Sequence, residues 1–372
     1  MRTTGAQQRP PGHRTLAWSL AAGLLLVACS ADPPLASLAS LPASQPEDRS
    51  LLAEPTASAA PIGPPTVGLD ELEHVEVKLA GGPDWPTLLD GSLWVLAPDG
   101  PQGDGGTQPL VYRLDAASGD EQARVPIGGR LCQGIVAALG MVWACTDTGL
   151  ARIDPAVNAV VTEVPFATAQ VFVRPVVTEG RIWMLSGNVV ADQLVEIDPA
   201  SNQVVATHPL GHAASGLAAG EGALWATAPA DGLVLRIEPT SGDVTVHAEG
   251  LPGPGTIAVG AGSLWVALYT EHGGEVAAPG EPTIARLSTG DGSVQAGFTI
   301  GTTTMVDGDI WADEDAVWVR SPADPFLVRL DPASDQVVYA ISGFHSGGSV
   351  TVGDGVVWTT SIEFATAWRI EP

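Results

Sequence analysis

Lysine is almost absent from this chain: Lys78 is the only one, and Lys and Arg together number 16 against 42 Asp and Glu. The resulting formal charge of -26 repels phosphate backbones and anionic headgroups over the range of a Debye length, which excludes nucleic acid as a partner. Long apolar runs are also missing. The one candidate, Leu16 to Val27, is too short to span a bilayer as a permanent helix. Cysteine is scarce, at 3, and no zinc-ligand spacing, P-loop or dinucleotide fingerprint occurs, so the common metal and nucleotide chemistries have no foothold.

Glycine and proline, by contrast, are abundant at 44 and 31, while hydrophobic residues make up 45% of the chain. That mixture argues against long helices and for many short strands joined by turns around a large core. The dominant pattern is a repeat. Seven times a tight turn and an apolar pair end in tryptophan, at Trp94, Trp143, Trp183, Trp225, Trp265, Trp318 and Trp358, with spacings of 49, 40, 42, 40, 53 and 40 residues. The period is that of one propeller blade of four antiparallel strands.

In six repeats the turn carries a glycine, as in Asp90-Gly91 and Glu221-Gly222, supplying the positive φ of a type I′ hairpin; the sixth repeat lacks it. A second turn recurs as Asp154-Pro155, Asp198-Pro199, Glu238-Pro239 and Asp331-Pro332, with Asp115-Ala116 as a variant. An acid at the first position accepts backbone amide hydrogens and proline presets the next φ, so these carboxylates read as turn formers.

The first thirty residues have three arginines, then the apolar run, then Leu26-Val27-Ala28-Cys29. This is the layout of a secretory signal over residues 1–28. Its last four residues are similar to the bacterial lipobox, which implies that Cys29 is a lipid-anchored N-terminus. Residues 29–69, rich in Pro, Ala and Ser, read as a semi-extended tether. The fold is then expected over 70–372. The seventh repeat stops at Trp368-Arg369-Ile370-Glu371-Pro372, where a third strand ends, and His74-Val75-Glu76-Val77-Lys78-Leu79 alternates as an orphan strand does. We therefore expect an all-β, seven-bladed β-propeller closed by an N-terminal strand that completes the last blade and removes an exposed edge.

Phrases such as Gly91-Ser92-Leu93-Trp94-Val95 and Arg329-Leu330-Asp331-Pro332-Ala333-Ser334-Asp335 resemble the YVTN-type and virginiamycin B lyase-like seven-bladed propellers of bacteria. The resemblance covers residues 73–372 and implies the propeller fold. The lyase repeats continue Trp-Phe-Thr-Glu, whereas these continue Trp94-Val95-Leu96, Trp143-Ala144-Cys145 and Trp358-Thr359-Thr360, so the lyase's catalytic His and Glu have no matching positions here.

In a propeller the blade-to-blade connections and the loops between second and third strands share one face, where ligand sites collect. Counting back nine residues from each tryptophan gives the entry to each innermost strand: Trp85, Gly134, Arg174, Gly216, Thr256, Asp309 and Ser349. Trp85, Arg174, Asp309 and the nearby Asp307 stand out in this ring as candidate ligand-binding residues at the channel mouth. His212 and His345, at one offset in two repeats, join them. They read either as an acid and base pair or as two solvated loop histidines. Trp311 occupies a position that is small or β-branched in other repeats. The two long spacings predict enlarged loops at Asp99 to Gly106 and Glu271 to Glu275. No resident cofactor is expected, the alternative being a divalent cation at the first of these acidic loops. Cys132 and Cys145 fall on neighbouring strands of one blade and are expected to form a disulfide in an oxidising compartment.

These readings converge on a lipid-anchored, extracytoplasmic propeller of the bacterial cell envelope. It is expected to touch the membrane through its anchor only and to bind an envelope protein, peptide or glycan at its loop-rich face without catalysis. A lyase or lactone hydrolase with an acid and histidine site at the channel mouth is the alternative. A purely structural component is a third reading, and it calls for a mouth plugged by apolar side chains.

Overall fold

The computed structural model describes residues 65–98, 109–129, 131–168, 173–188, 190–269, 282–300, 305 and 308–372, with the side chains of 131–133 outside that set. The signal segment, Cys29 and the tether to residue 64 lie outside the described residues, as do both enlarged loops and Asp307.

The described residues form seven sheets, antiparallel but for one added rim strand, and these are the blades of a β-propeller. We number the blades by their tryptophans, from Trp94 in the first to Trp358 in the seventh. Blade 4 shows the plan: Gly216–Gly220 innermost, then Ala223–Ala228, Leu233–Ile237 and Val244–Ala248 at the rim. The type I′ reading holds at its first turn, where Glu221 and Gly222 have φ of 53° and 71°. Blade 6, without the glycine, uses a wider turn in which the Asp313 carboxylate accepts from the amides of Asp315 and Ala316, both at 2.8 Å. The Asp-Pro turns are likewise held by their acids: Asp154, Asp198 and Asp331 each accept the backbone amide two residues on.

Ring closure occurs as expected. His74–Lys78 pairs antiparallel with Thr366–Ile370, from His74 opposite Ile370 to Lys78 opposite Thr366. The boundary drawn at residue 70 requires correction. Thr66–Gly68 forms a parallel fifth strand on the rim of blade 6, in register with Ala340, Ile341 and Ser342. Low apolar content did not prevent this, because the rim strand Gln336–Ser342 offers a row of unpaired backbone groups that three residues suffice to satisfy.

Each repeat tryptophan lies in the seam between blades. Trp94 packs with Ile135 and Val142 of blade 2, and the pattern continues around to Trp358, which packs with Leu93 and Val95 of blade 1. All seven are buried, which favours an interior role over an exposed aromatic binding role. Across the sheet, an arginine on the third strand faces the tryptophan in most blades and stacks over its ring, Arg113 over Trp94 at 5.1 Å and Arg286 over Trp265 at 5.2 Å. Its outer nitrogen then grips the turn of the next blade. Arg113 Nη1 donates to Pro155 O at 2.8 Å and Asn158 Oδ1 at 2.9 Å. Arg152 repeats this on Pro199 and Asn202, and Arg286 on Pro332 and Asp335. Where blade 3 has Glu196 opposite Trp183, His208 packs on the ring instead. Blades 7 and 1 are joined by Arg369 Nε donating to Ala116 O at 3.2 Å.

Cys145 is disulfide-bonded. The side chain of Cys132, its expected partner, lies outside the described residues.

Candidate functional site

The innermost strands place the nine-back positions around the channel, several of them touching the next blade. Gly134 meets Val173 and Arg174, and Gly216 meets Gly255; a Cβ at either would fall within 2.5 Å of a neighbouring carbonyl oxygen, so only glycine fits. Thr256 Oγ1 donates to Gly308 O at 3.4 Å, the Asp309 carboxylate accepts from Val350 N at 3.0 Å, and Ser349 Oγ donates to Asp84 Oδ1 at 2.5 Å.

Across this ring Arg174 of blade 3 reaches Asp309 of blade 6, Nη2 to Oδ2 at 2.5 Å, and its guanidinium lies over the Trp85 ring of blade 1 at 4.8 Å. Three of the predicted residues therefore meet. Asp309 is 1% exposed. Burial pushes its carboxyl upward from the ordinary value, while the Arg174 charge and the amides of Val350 and Ile310 pull it back. Beside the pair is a cavity of about 160 Å³, walled by Trp85, Arg174, Ser215, Thr256, Asp309 and Trp311 among aliphatic side chains.

The histidines do not join this group. His212 Nδ1 donates to Asp231 Oδ2 at 2.8 Å, within the loops of blade 4. His345 is exposed on the loop that enters blade 7.

A second polar cluster, absent from the sequence reading, lies beneath the loop face where blades 6, 7 and 1 meet. Arg320 is 0% exposed and donates to the carbonyls of Thr360, Ser321 and Phe326. Its guanidinium lies 5.3 Å from the rings of both Phe326 and Phe344, which stack on each other at 4.0 Å. Burial lowers its pKa to about 9, against the opposing charges of Glu363, Asp84 and Asp309. Nearby, Ser346 shares its hydroxyl with Ser361 and Glu363. The signal was present in the chain. Two residues past the tryptophan the other repeats carry Leu96, Cys145, Leu185, Thr227, Ala267 and Thr360, and blade 6 alone carries a charge.

Among the described residues no group of three or more His, Cys, Asp or Glu is placed to hold a metal ion. The acidic loop considered for a divalent cation lies outside them. No helix among them is long and apolar enough to cross a membrane.

No protein-family model matches the chain, and no curated protein matches it. Solved structures share its fold. Virginiamycin B lyase from Staphylococcus aureus is 17% identical, with a TM-score of 0.60 over 80% of this chain and 99% of that one. A streptogramin B lyase is 18% identical, with a TM-score of 0.61 over 80% and 97%. BamB from Moraxella catarrhalis is 12% identical, with a TM-score of 0.50 over 80% and 99%. The chain is a seven-bladed β-propeller of virginiamycin B lyase-like architecture; at these identities the likeness is one of fold.

Proposed function

We propose that this chain is a lipid-anchored, extracytoplasmic propeller that binds an envelope protein, peptide or glycan at its loop-rich face without catalysis. The observation that carries this reading is the pairing of Arg174 with Asp309. It commits a half-buried cation and a buried carboxylate at the channel to each other, so that the two charges neutralise one another beneath the surrounding loops. Such an arrangement suits recognition by surrounding loops on a fixed ring. The rival reading, a lyase or lactone hydrolase, needs an acid and a base free to move protons within reach of one another. His212 is held by Asp231, His345 is exposed elsewhere on the face, and Asp309 is held by Arg174.

The test is site-specific photo-crosslinking in envelope extracts. A crosslinker at position 345, on the loop face, is expected to capture a discrete product, whereas the same group at position 205, exposed on the rim of blade 3, captures none. Equal yields at both positions, or none at either, remove the support for this reading. Anchoring is tested separately: Cys29→Ala is expected to shift the protein from the membrane to the soluble fraction, and unchanged partitioning counts against the anchor.

A further inference from the structure

Blade 2 departs from the repeat at two turns. In each antiparallel meander the turns after the first and third strands lie at one end, opposite the loop-rich face, and in blade 2 these are Leu139-Gly140 and Asp154 to Asn158. The first residue of the hairpin turn takes a positive φ, 55° at Leu139, and the other blades that keep this turn place Asp90, Glu179, Glu221, Ala261 and Asp354 there. A left-handed backbone favours Asp and disfavours a bulky apolar residue. In the second turn the fourth position is Ser118, Ser201, Ser241, Asp291 or Ser334 in the other blades that have it, and Ser201 and Ser334 donate to their turn carboxylates at 2.8 and 2.6 Å. Blade 2 has Val157 and forgoes that bond.

Neither change is offset by burial. Val157 is 63% exposed and Leu139 60%, the two most exposed large hydrophobic side chains among the described residues. The turn is held on both sides of Val157, because Arg113 Nη1 donates to Pro155 O and to Asn158 Oδ1. The two turns are two strand spacings apart, roughly 10 Å. Beside Leu139 a groove of about 320 Å³ opens between blades 2 and 3, with Met141 and Pro199 in its lining. Local rules broken twice at one end of one blade, with no compensating contact inside the fold, mark a surface that meets something else.

Charge restricts what that is. Asp90 and Asp120 of blade 1 and Glu179 of blade 3 lie on either side of the apolar pair and are exposed. The arginines of the same end are held by the protein: Arg113 by the blade 2 turn, Arg152 by Pro199 and Asn202, and Arg181 by Glu196 and Asp198. The surface is therefore apolar at its centre and anionic around it. A second copy, carrying the same -26, is repelled, and so is any acidic partner. We propose that the turn end of blade 2 docks a protein segment that carries an apolar side chain between lysines or arginines. The apolar residue packs on Leu139 and Val157, and the cations meet the carboxylates of blades 1 and 3. The surface lies at the opposite end of the blades from the loop-rich face and is independent of that reading.

The probe is a fluorophore-labelled peptide, Lys-Lys-Leu-Leu-Lys-Lys, followed by fluorescence anisotropy; its counterparts replace the leucines by serine or the lysines by glutamate. Saturable binding of the probe to the native protein is expected, with each counterpart weaker by about tenfold or more. Leu139→Ala with Val157→Ser gives blade 2 the residues of its sister blades and leaves the charge unchanged. That variant is expected to melt no lower than the native protein and to bind the probe about tenfold more weakly. Val246→Ser, at an exposed valine on the rim of blade 4, is expected to change nothing. The proposal is overturned if the native protein shows no saturable binding, if the double variant or either counterpart peptide binds equally, or if the native protein is a dimer that the double variant dissociates, which makes a second copy the occupant. Crosslinking at position 345 reports on the loop face alone, so failure of either reading leaves the other standing.

Discussion

Arg174 and Asp309, 135 residues apart in the chain and three blades apart in the ring, form an ion pair at 2.5 Å across the channel. The pair spans the propeller, so it acts as a central tie. Breaking it from one side strands a buried charge. Arg174→Ala is expected to cost about 3 kcal/mol in urea unfolding. The double variant Arg174→Met with Asp309→Asn is expected to be less destabilised than the sum of the single changes. Additivity of the two would contradict the tie.

The arginines that grip the following turn should matter in proportion to those contacts. Arg286, which stacks on Trp265 and holds Pro332 and Asp335, is expected to cost about 2 kcal/mol when changed to alanine. Arg329 faces Trp318 in the same register, but blade 7 has no turn joining its third strand to a rim strand. Arg329→Ala is therefore expected to have a clearly smaller effect, and equal losses in thermal unfolding would refute the role assigned to the turn contacts.

Two N-terminal deletions separate closure from decoration. Removing residues 1–72 takes away the parallel strand on blade 6 and is expected to leave a monomer with a modestly lower melting temperature. Removing residues 1–78 strips the rim strand from blade 7 and exposes its edge. That protein is expected to aggregate or unfold, as read by size-exclusion chromatography. A stable monomer from the longer deletion would show that the strand does not close the ring.

The turn carboxylates set an acid limit. Hydrogen bonds hold Asp115, Asp198 and Asp331 below the usual carboxylate range and bring Asp291 to about 2. A depressed folded value means that the contribution is complete above the unfolded value near 3.8 and is lost as pH falls through the folded one. The midpoint of urea unfolding is expected to fall between pH 4 and 2, and Asp291→Asn is expected to flatten that dependence. An unchanged slope in the variant would remove Asp291 from the account.

Cys145 is in a disulfide, and we propose Cys132 as its partner. Thiol titration of the denatured, unreduced protein lacking residues 1–64 is expected to find no free thiol, and one in Cys132→Ser. Two free thiols in the unaltered sequence would refute the bridge.

Sequence periodicity was enough to reveal the blades, the I′ turns, the Asp-Pro turns and the closing strand, because each depends on residues close together in the chain or on the repetition of one local rule. The arginine that recurs before most of these turns was equally visible, yet its role was not, since its partner lies in the next blade. The same limit explains the fifth strand of blade 6, whose pairing partner is more than 270 residues away, as with Thr66 and Ala340.

By itself the chain determined the number of modules, the spacing that makes them blades and the ring positions at which any central chemistry must sit. Tertiary structure alone decided which of those positions meet. Arg174, Asp309 and Trp85 converge because ring closure brings blades 3, 6 and 1 to a common axis, while His212 is held by Asp231 within the loops of its own blade. Repetition specifies local geometry, whereas distances across the channel depend on the curvature of the closed ring, a property of all seven blades together.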